Sequence, residues 1–398
     1  MEHDLAARAS RVGVARMTRQ LYLAATGMNR GKTTLSLGLL ASLFERGLPT
    51  GFIKPVGQRY AVVDGIPADE DAILMKSVFG LPDPLSAISP VHIPRGFTKA
   101  YINGEVVEDL AARVREAHAG IAAGRDWVLV EGTGHAGVGS VVDLSNAQVA
   151  RMLGTPVLIV SEAGVGRPID EIVLNRALFE REGVPVVGAV VNKVDVDAHP
   201  SLAAVLQRGL ASHGIALLGI LPYRPLLSNP TLGMLAEQMA GEVLHPGPDL
   251  GRVIEHVAIG AMQPAHVLDW VTPGSLLIVP GDREDVIQAT VTVTLVGRAS
   301  GGRQASAPRG AAAAESSRLA GIVLTGGYRP PARVLAAIRL ADLFVFAVED
   351  DTYAAASRVH DLLVKTHPAD RDKIELIRRL VGEHLDTDRI LERFGPAA

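Results

Sequence analysis

Short apolar segments alternate with longer segments of helical periodicity over residues 21 to 223. Most of the short segments contain no polar residue, which is typical of strands that are covered on both faces. The predicted strands are 21–25, 51–53, 127–130, 157–160, 186–191 and 216–221. The predicted helices between them are 35–44, 69–79, 105–123 and 168–182. This order predicts an α/β fold, a doubly wound and mostly parallel sheet with helices on both faces.

A cluster of Gly and Pro at 241–251 interrupts the pattern, which then begins again. Beyond it the predicted strands are 276–279, 321–324 and 343–346, and the predicted helices are 264–270, 353–365, 372–394 and one that begins at 282. The low-complexity stretch 298–318 has few residues that offset the entropy of ordering, so it predicts a mobile loop. The predicted parts are an N-terminal extension (1–19), a larger α/β domain (20–240), a smaller α/β domain (250–366) and a C-terminal helical segment (367–398).

Composition limits the classes of function. The chain has 398 residues, a formal net charge of −4 and no cysteine. Slight acidity and the lack of a basic, aromatic-rich stretch predict no nucleic-acid partner. Without cysteine there is no disulfide or cysteine-ligated zinc site, and no apolar run approaches the ~20 residues that span a bilayer. Because no apolar signal segment follows the arginine-rich residues 1–19, we expect a cytoplasmic protein without a membrane partner.

The sequence LYLAATGMNRGKTT at 21–34 joins a predicted strand to a predicted helix. This context is typical of a phosphate-binding P-loop, in which backbone N–H groups and a helix N-terminus surround an anion. The spacing predicts that Lys32 reaches the terminal phosphates of a nucleotide and that the Thr33 hydroxyl holds Mg²⁺. Thr26 replaces the first glycine of the usual motif, and an ordinary helix start is the alternative interpretation. The candidate nucleotide-binding residues of the loop are Thr26, Gly27, Met28, Asn29, Arg30, Gly31, Lys32, Thr33 and Thr34.

Three further charged residues are candidates for the same site, because they follow strands or begin a helix. Glu131 ends an apolar strand and is a candidate Mg²⁺ ligand, with a solvated strand-end glutamate as the alternative. Lys54 is a candidate catalytic residue together with Lys32, because it can face phosphates or an anionic substrate; an ordinary surface lysine is the alternative. Asp71 is a candidate metal ligand in preference to Asp69, and helix capping is the alternative role for both.

The ends of the later strands supply candidates for a base pocket. Asn192 stands at a strand end in the sequence Asn-Lys-Val-Asp, where its side-chain amide can bond a base edge. The sequence resembles the guanine-reading motif of GTPases, but so short a match does not select GTP. Pro222 follows the last strand and is a candidate wall of the pocket, or part of a plain turn. The glycine-rich segment 132–139 predicts a mobile active-site loop, in which His135 is incidental.

Five short segments follow one another in a characteristic order: AATGMNRGKTT, IKPVGQ, VLVEGTG, VVNKVD, and ILPY followed by NP. In these segments, residues 21–220 resemble the dethiobiotin synthetase-like branch of P-loop proteins, in which Thr26 in place of glycine is typical. The resemblance implies ATP and Mg²⁺ as ligands, a carbamate contact at Lys54 and an adenine contact at Asn192. It also implies a homo-oligomer, because proteins of this branch commonly complete the substrate pocket across a dimer. The residues implied for phosphates and metal are Lys32, Thr33, Asp71 and Glu131.

The second predicted domain carries Asp282-Arg283 and Thr325-Gly326-Gly327 after two predicted strands. These residues resemble the module that is named after them, the DRTGG domain. A dethiobiotin synthetase-like P-loop domain followed by a DRTGG domain resembles the N-terminal regulatory part of long phosphate acetyltransferases. The acetyltransferase catalytic domain is not among these 398 residues, so we expect no acetyl transfer.

The combined resemblance implies a regulatory or sensing ATPase that binds a small-molecule nucleotide. One alternative is an ATP-dependent ligase, of dethiobiotin synthase or cobyrinic acid diamide synthase type, acting on a small carboxylate or acyl-phosphate metabolite. Three departures weaken that alternative: Gln58 replaces a serine of the substrate site, the segment 135–140 replaces an aromatic substrate loop, and a second domain is present. The other alternative is a non-catalytic nucleotide-binding regulator of a separate acetyltransferase.

Overall fold

The computed structural model describes residues 18–300 and 319–394. The chain divides into two compact units, which we call the first and the second unit: 18–223 with 366–394, and 224–300 with 319–365. The division after Tyr223 lies before the boundary that the sequence predicts at 240–250. It does so because Leu232 and Leu235 are buried in a hydrophobic core of the second unit.

A parallel sheet forms the centre of the first unit. The strands up to residue 223 are β1 (Arg19–Ala25), β2 (Thr50–Ile53), β3 (Val56–Gly57), β4 (Tyr60–Val63), β5 (Ile66–Asp69), β6 (Val91–His92), β7 (Trp127–Glu131), β8 (Val157–Glu162), β9 (Val186–Val194) and β10 (Leu217–Pro222). Six of them form the sheet, in the order β10-β9-β8-β1-β7-β2, and every pairing in it is parallel. The chain moves from β1 first to one side and later to the other, so right-handed crossovers place helices on both faces. The predicted doubly wound α/β fold is confirmed.

The helices of this part are α1 (Lys32–Glu45), α2 (Glu70–Phe79), α3 (Leu85–Ile88), α4 (Phe97–Ile102), α5 (Leu110–Ala122), α6 (Asn146–Leu153), α7 (Gly166–Arg181) and α8 (Leu202–Ala211), with a 3-10 helix at Ser140–Val142.

Helix α1 follows β1 and is apolar on nearly all sides. Within α1, Leu35, Leu39 and Leu43 are at most 2% exposed. A helix that is apolar all round has to be buried, and this burial holds the loop before α1 in place at the sheet.

Helix α5 is shorter than the predicted range 105–123. It begins at Leu110, because the Asp109 side chain accepts a hydrogen bond from the Ala112 N–H at 2.8 Å and caps the first turn. Val107, which the periodicity places on the buried face, is 95% exposed. The predicted start is therefore wrong, because the apolar periodicity continues past a capping residue.

Strands β4 and β5 form an antiparallel hairpin that is not among the predicted elements. Its turn residues Asp64 and Gly65 have φ values of 51° and 78°, as a two-residue hairpin loop requires. Asp-Gly between two apolar stretches was the signal that could have identified it. The hairpin matters for function because it leads the chain from the end of β2 to Asp69, where α2 begins.

The second unit is a smaller α/β domain, as the sequence predicts. Its strands are β11 (Glu242–His245), β12 (His256–Ile259), β13 (Ser275–Pro280), β14 (Gly321–Thr325) and β15 (Phe344–Ala347). Its helices are α9 (Pro225–Ser228), α10 (Leu232–Gln238), α11 (Pro264–Leu268), α12 (Glu284–Ser300), α13 (Ala332–Leu340) and α14 (Thr352–His360). The sheet order is β11-β15-β14-β13-β12, with β11 antiparallel to β15 and the other pairings parallel. The two halves of the DRTGG motif meet at the ends of β13 and β14, where the Gly281 N–H donates to Thr325 O at 3.1 Å.

Helix α12 continues to Ser300, so the first residues of the predicted mobile loop 298–318 are helical. The rest of that loop, 301–318, lies outside the described residues, and so do residues 1–17 of the predicted extension. With 17 residues, α12 is the longest helix in the described part of the chain. Within 18–300 and 319–394, no helix has both the length and the apolar character that crossing a membrane requires.

The C-terminal segment returns to the first unit as two helices, α15 (Arg371–His384) and α16 (Thr387–Arg393). The sequence predicts one helix over 372–394, and this prediction is wrong at Leu385. The Leu385 backbone pairs with Gly219 of β10, and the Asp386 side chain then caps α16 by accepting from the Arg389 N–H at 3.0 Å. The contact of Leu385 with β10 and the cap at Asp386 therefore divide into two helices a segment whose apolar periodicity is continuous.

Helix α15 packs so closely on α1 that Gly38 has no room for a side chain. A Cβ at Gly38 would lie 2.3 Å from the Val381 side chain. Gly→Ala in a helix interior ordinarily stabilises by up to about 1 kcal/mol, but overpacking here should lower the free energy of unfolding by about 1–3 kcal/mol. Denaturant unfolding measures the change. Gly382→Ala in α15 meets nothing within 4 Å and is the stabilising control. A Gly38→Ala protein as stable as wild type would contradict this packing.

Candidate functional site

Residues 26–31 form the loop between β1 and α1, and no side chain of the loop caps the first N–H groups of α1. Asn29 and Gly31 have positive φ values of 56° and 97°. Gly31 occupies the N-cap of α1, and no side chain caps the first helical turn. The first N–H groups of α1 are therefore available to an external acceptor, and a helix N-terminus favours an anion.

Four side chains, which we call the carboxylate cluster, converge beside this loop: Thr33, Lys54, Asp71 and Glu131. The Lys54 Nζ donates to Asp71 Oδ2 at 2.6 Å and to Glu131 Oε1 at 2.8 Å. The Thr33 Oγ1 lies 3.0 Å from Asp71 Oδ1 and 3.3 Å from Glu131 Oε1. Ser36, on the next turn of α1, donates to the second carboxylate oxygen of Glu131. One hydroxyl, one ammonium and two carboxylates thus share a single pocket.

Sheet order and helix capping bring these side chains together. Strand β7 lies between β1 and β2, so Glu131 and Lys54 leave neighbouring strands at the same edge as the loop. The Lys54 N–H donates to Ile88 O at 2.7 Å, which holds its backbone. At the start of α2, the Asp69 side chain accepts from the Asp71 N–H at 3.0 Å. Asp69 is therefore the helix cap, and Asp71 is left to face the cluster.

Burial and mutual attraction set the charges of the cluster. Lys54 is 3% exposed and Glu131 is fully buried. Burial alone would lower the pKa of Lys54, but the Asp71 and Glu131 carboxylates outweigh it and hold that pKa well above its usual value. Burial raises the pKa of Glu131 to about 7, although the Lys54 ammonium opposes the shift. For Asp71 the same ammonium overcomes burial and lowers the pKa to about 2.

Lys32 extends along the loop and is 8% exposed, with its Nζ 3.5 Å from Gly27 O. Burial, and then the nearby Lys54 ammonium, lower its pKa to about 8. A buried ammonium with so weak a partner is poorly solvated, and a phosphate oxygen would solvate it better. Lys32 is thus placed and charged to receive an anion.

The oxygen atoms of the cluster fit Mg²⁺, which prefers carboxylate, hydroxyl and phosphate oxygens. Thr33, Asp71 and Glu131 are the residues that would hold it. Among residues 18–300 and 319–394, no three His, Cys, Asp or Glu side chains are grouped so as to hold a metal ion by themselves. Phosphate oxygens and water would have to complete the shell, as they commonly do for Mg²⁺ at nucleotide sites.

The end of β9 supports the loop from the other side. Asn192 is 6% exposed, and its Nδ2 donates to Arg30 O at 3.1 Å. Lys193 donates to Asn29 O at 3.1 Å and pairs with Glu162 at 2.7 Å. Glu162 also pairs with the Arg30 guanidinium. These contacts show Asn192 bound to the loop itself, and its contact with an adenine stays a prediction.

The glycine-rich loop 132–139 is held by two asparagine side chains. Asn146 accepts from the Thr133 N–H at 3.0 Å and donates to Thr133 O at 2.7 Å and to His135 O at 2.6 Å. Asn175 accepts a further backbone N–H of the loop at 2.7 Å. The sequence predicts a mobile loop here, but these bonds fix its first half beside β1.

The remaining predicted residues are less closely tied to the cluster. The Thr26 hydroxyl lies 3.2 Å from the Ser161 Oγ, and Met28 is 44% exposed. Thr34 is half-buried in the first turn of α1. Pro222 is buried at the end of β10, where it pairs with Val194 of β9. Its role as a wall of the base pocket stays a prediction.

Sequence reasoning missed Ser36, Lys193 and Asn146 as parts of the site. Ser36 had a detectable signal, because it is a polar residue on an apolar helix and lies one turn after Thr33. Asn146 had none, because its four hydrogen bonds reach Tyr22, Thr133 and His135, which no local pattern connects to it.

Family models match both parts of the chain. The model AAA_26, described as AAA domain, matches residues 19–231, which is more than half of the chain. The chain belongs to the AAA_26 family. A second model, described as DRTGG domain, matches residues 234–362. The AAA domain covers the loop, the carboxylate cluster and Asn192, and the predicted combination of a P-loop domain with a DRTGG domain is confirmed.

Proteins named phosphate acetyltransferases are similar to nearly the whole chain. A phosphate acetyltransferase of Pseudomonas putida is 29% identical over 389 residues, which cover 94% of this chain and 52% of that protein. A phosphate acetyltransferase of Nitratidesulfovibrio vulgaris is 25% identical over 388 residues, which cover 95% of this chain and 52% of that protein. The chain therefore spans about half the length of the relatives it matches, and it is related to their N-terminal region.

Two solved structures resemble parts of the chain at low identity. The septum site-determining protein MinD of Pyrococcus horikoshii, complexed with Mg-ADP, is 14% identical, has a TM-score of 0.33, and the match covers 53% of this chain and 84% of MinD. The CBS and DRTGG domains of a Clostridium perfringens pyrophosphatase, complexed with diadenosine tetraphosphate, are 12% identical with a TM-score of 0.27, covering 50% and 86% of the two chains. Because both TM-scores are low, the fold assignment rests on the strand order and pairing.

Proposed function

We propose that the first unit binds ATP together with Mg²⁺ and that the chain is a regulatory or sensing ATPase. The observation that carries this proposal is the convergence of Thr33, Asp71 and Glu131 beside the uncapped start of α1. The helix start offers N–H donors for the phosphates, and the three oxygen-bearing side chains offer a site for the metal that accompanies them. The buried Lys32 supplies a positive charge to the same place.

The residues of the site would act mainly by positioning and by charge. The loop N–H groups and Lys32 would hold the β- and γ-phosphates and stabilise the charge on the γ-phosphoryl group during its transfer. Bound Mg²⁺ would neutralise part of the phosphate charge. The fixed first half of loop 132–139 lies next to Glu131 and would limit the access of water to that side of the pocket. In this proposal water accepts the phosphoryl group, and ATP is hydrolysed at a low rate.

The regulatory part of the proposal is supported by the proteins to which the chain is similar. The relatives that contain the same region are named phosphate acetyltransferases, and this region is about half of each. We propose that nucleotide binding in the first unit changes the ligand affinity of the DRTGG domain or of a partner enzyme. The resemblance to dethiobiotin synthetase-like proteins further supports a homo-oligomer in the cytoplasm.

Removal of Mg²⁺ tests the metal assignment. We expect Mg²⁺ to tighten ATP binding in the wild-type protein, as measured by isothermal titration calorimetry with and without a chelator. In Glu131→Gln this Mg²⁺-dependent gain should fall by at least about tenfold, because a charged ligand of the metal is lost. Glu180→Gln, at a half-exposed side chain on α7, is the matched control. ATP binding that is equally tight without Mg²⁺ in all three proteins would refute the metal site.

Steady-state ATP hydrolysis distinguishes the proposal from its two alternatives. A low rate that needs no second substrate supports the ATPase. Turnover that appears only with a small carboxylate or an acyl phosphate would favour the ligase, with Lys54 as the contact for the acid. ATP binding without turnover would favour a non-catalytic regulator of a separate acetyltransferase. The same assay over a panel of carboxylates covers all three outcomes.

A further inference from the structure

Lys54 lies where a metal ion would lie to bind Asp71 Oδ2 and Glu131 Oε1 together. Its Nζ is 2.6 Å from Asp71 Oδ2, 2.8 Å from Glu131 Oε1 and 3.4 Å from Gly132 O. These contacts use all three N–H bonds of the ammonium. Mg²⁺ binds oxygen at about 2.0–2.1 Å, so an ion that binds the same two carboxylate oxygens would overlap with Nζ. The ammonium and the metal therefore exclude each other from this position.

The Lys54 ammonium offsets negative charge in the pocket when no metal is bound. It contacts the carboxylates of Asp71 and Glu131 directly, and Asp69 adds a further negative charge nearby. Lys54 is 3% exposed and Glu131 is fully buried, so an imbalance here is unfavourable. Mg²⁺ alone would enter a pocket in which an ammonium already contacts both carboxylates. Mg²⁺ that arrives with a triphosphate brings compensating negative charge with it.

We propose that Lys54 is an internal counter-ion, which holds Asp71 and Glu131 in the nucleotide-free protein and which Mg²⁺ must displace when it enters with the nucleotide. This inference rests on the proposed function, because it takes the two carboxylates as metal ligands. The backbone of Lys54 is held by Ile88, so only the flexible four-carbon side chain has to move. The displaced ammonium then becomes available to the anion that enters with the metal, a terminal phosphate or a substrate carboxylate.

The test is the affinity of nucleotide-free protein for Mg²⁺ alone. It is measured by isothermal titration calorimetry in the same buffer and at the same pH for every protein. We expect Lys54→Gln to bind Mg²⁺ at least about tenfold more tightly than wild type, because a full positive charge next to both ligands is removed. Mg²⁺ should also raise the Tm of the variant more than that of wild type. Equal or weaker Mg²⁺ binding in Lys54→Gln would overturn the inference.

Lys76→Gln is the matched control. Its Nζ donates to the carbonyl oxygens of Leu81 and Asp83, at 2.7 Å each, in the same unit. Because these acceptors are backbone groups without charge, we expect Mg²⁺ affinity to stay at the wild-type value. A gain in Lys76→Gln as large as that in Lys54→Gln would show a general charge effect and would count against a specific counter-ion.

Lys54→Gln leaves the buried Glu131 carboxylate and the partly buried Asp71 carboxylate without their cation, so its refolding is measured with and without Mg²⁺. Recovery of the native fold only when Mg²⁺ is present supports the inference, because the metal then replaces the ammonium. Failure to fold even at saturating Mg²⁺ contradicts it.

ATP binding to the wild-type protein separates this inference from the proposed function. A wild-type protein that binds no ATP with Mg²⁺ would refute the proposed function, while the comparison of Mg²⁺ affinities still decides the role of Lys54. A wild-type protein that binds ATP with Mg²⁺, next to a Lys54→Gln protein without a gain in metal affinity, would refute the counter-ion alone.

Discussion

Lys32→Ala is expected to lower the affinity for ATP by at least about 100-fold, because it removes a charged hydrogen-bond donor from the proposed phosphate site. The same change should leave the free energy of unfolding unaltered or slightly higher. Burial and the neighbouring Lys54 lower the pKa of Lys32 to about 8. A lowered pKa means that the folded state disfavours the ammonium, and this cost grows as the pH falls below the usual lysine value of 10.5 and is complete below about 8. Calorimetric titration with ATP and denaturant unfolding together separate lost binding from lost folding.

Lys76→Ala is the control for this experiment, because Lys76 lies in the same unit and bonds backbone carbonyl groups at the end of α2. It should keep the wild-type affinity for ATP. A Lys32→Ala protein that binds ATP as tightly as wild type would show that the loop between β1 and α1 is not the phosphate site. The proposed function would then fail as a whole.

The phosphate loop is predictable from sequence because its determinants are local. A strand, a short loop with Gly31 and a helix that starts at Lys32 are encoded within residues 21–45, and backbone geometry alone turns them into an anion site. Glu131 is predictable for a similar reason, since it directly follows an apolar strand. The parallel sheet then places both at one edge, whatever the details of packing.

The state of Lys54 is not predictable, because it depends on partners that are 17 and 77 residues away in the chain. No periodicity relates Lys54 to Asp71 or to Glu131. Their approach follows from the strand order and from the β4–β5 hairpin, which is not among the predicted elements. Local patterns therefore indicate which residues belong to the site, while long-range topology decides that the lysine occupies the position between the two carboxylates.

Packing between segments distant in sequence accounts for the errors of the helix predictions as well. The apolar periodicity of 372–394 is continuous, but the helix ends before Leu385, whose backbone pairs with β10. The close approach of α15 to α1 at Gly38 is equally invisible in the sequence, since a glycine in a helix carries no sign of its neighbour. Contacts of this kind become apparent only when the positions of both segments in the fold are known.

Gly31→Ala is expected to abolish ATP binding and to lower the free energy of unfolding by about 2–4 kcal/mol. Two effects combine at this position. The φ of 97° is unfavourable for any residue with a Cβ, and the new Cβ would lie 1.9 Å from the Nδ2 of Asn192. The loop would have to move away from β9, and the N–H groups of α1 would lose their alignment. Calorimetric titration and denaturant unfolding measure the two losses.

Gly27→Ala is the matched control within the same loop. Its Cβ would meet only the flexible Arg30 side chain, at 3.3 Å, and Gly27 is not among the glycines with positive φ. We expect a change of less than about 1 kcal/mol and nearly unchanged ATP affinity. Adding Asn192→Ala to Gly31→Ala removes the clash but not the unfavourable φ, so part of the stability should return. If Gly31→Ala behaves like Gly27→Ala, the contact between the loop and Asn192 does not hold the loop, and β9 has no part in shaping the phosphate site.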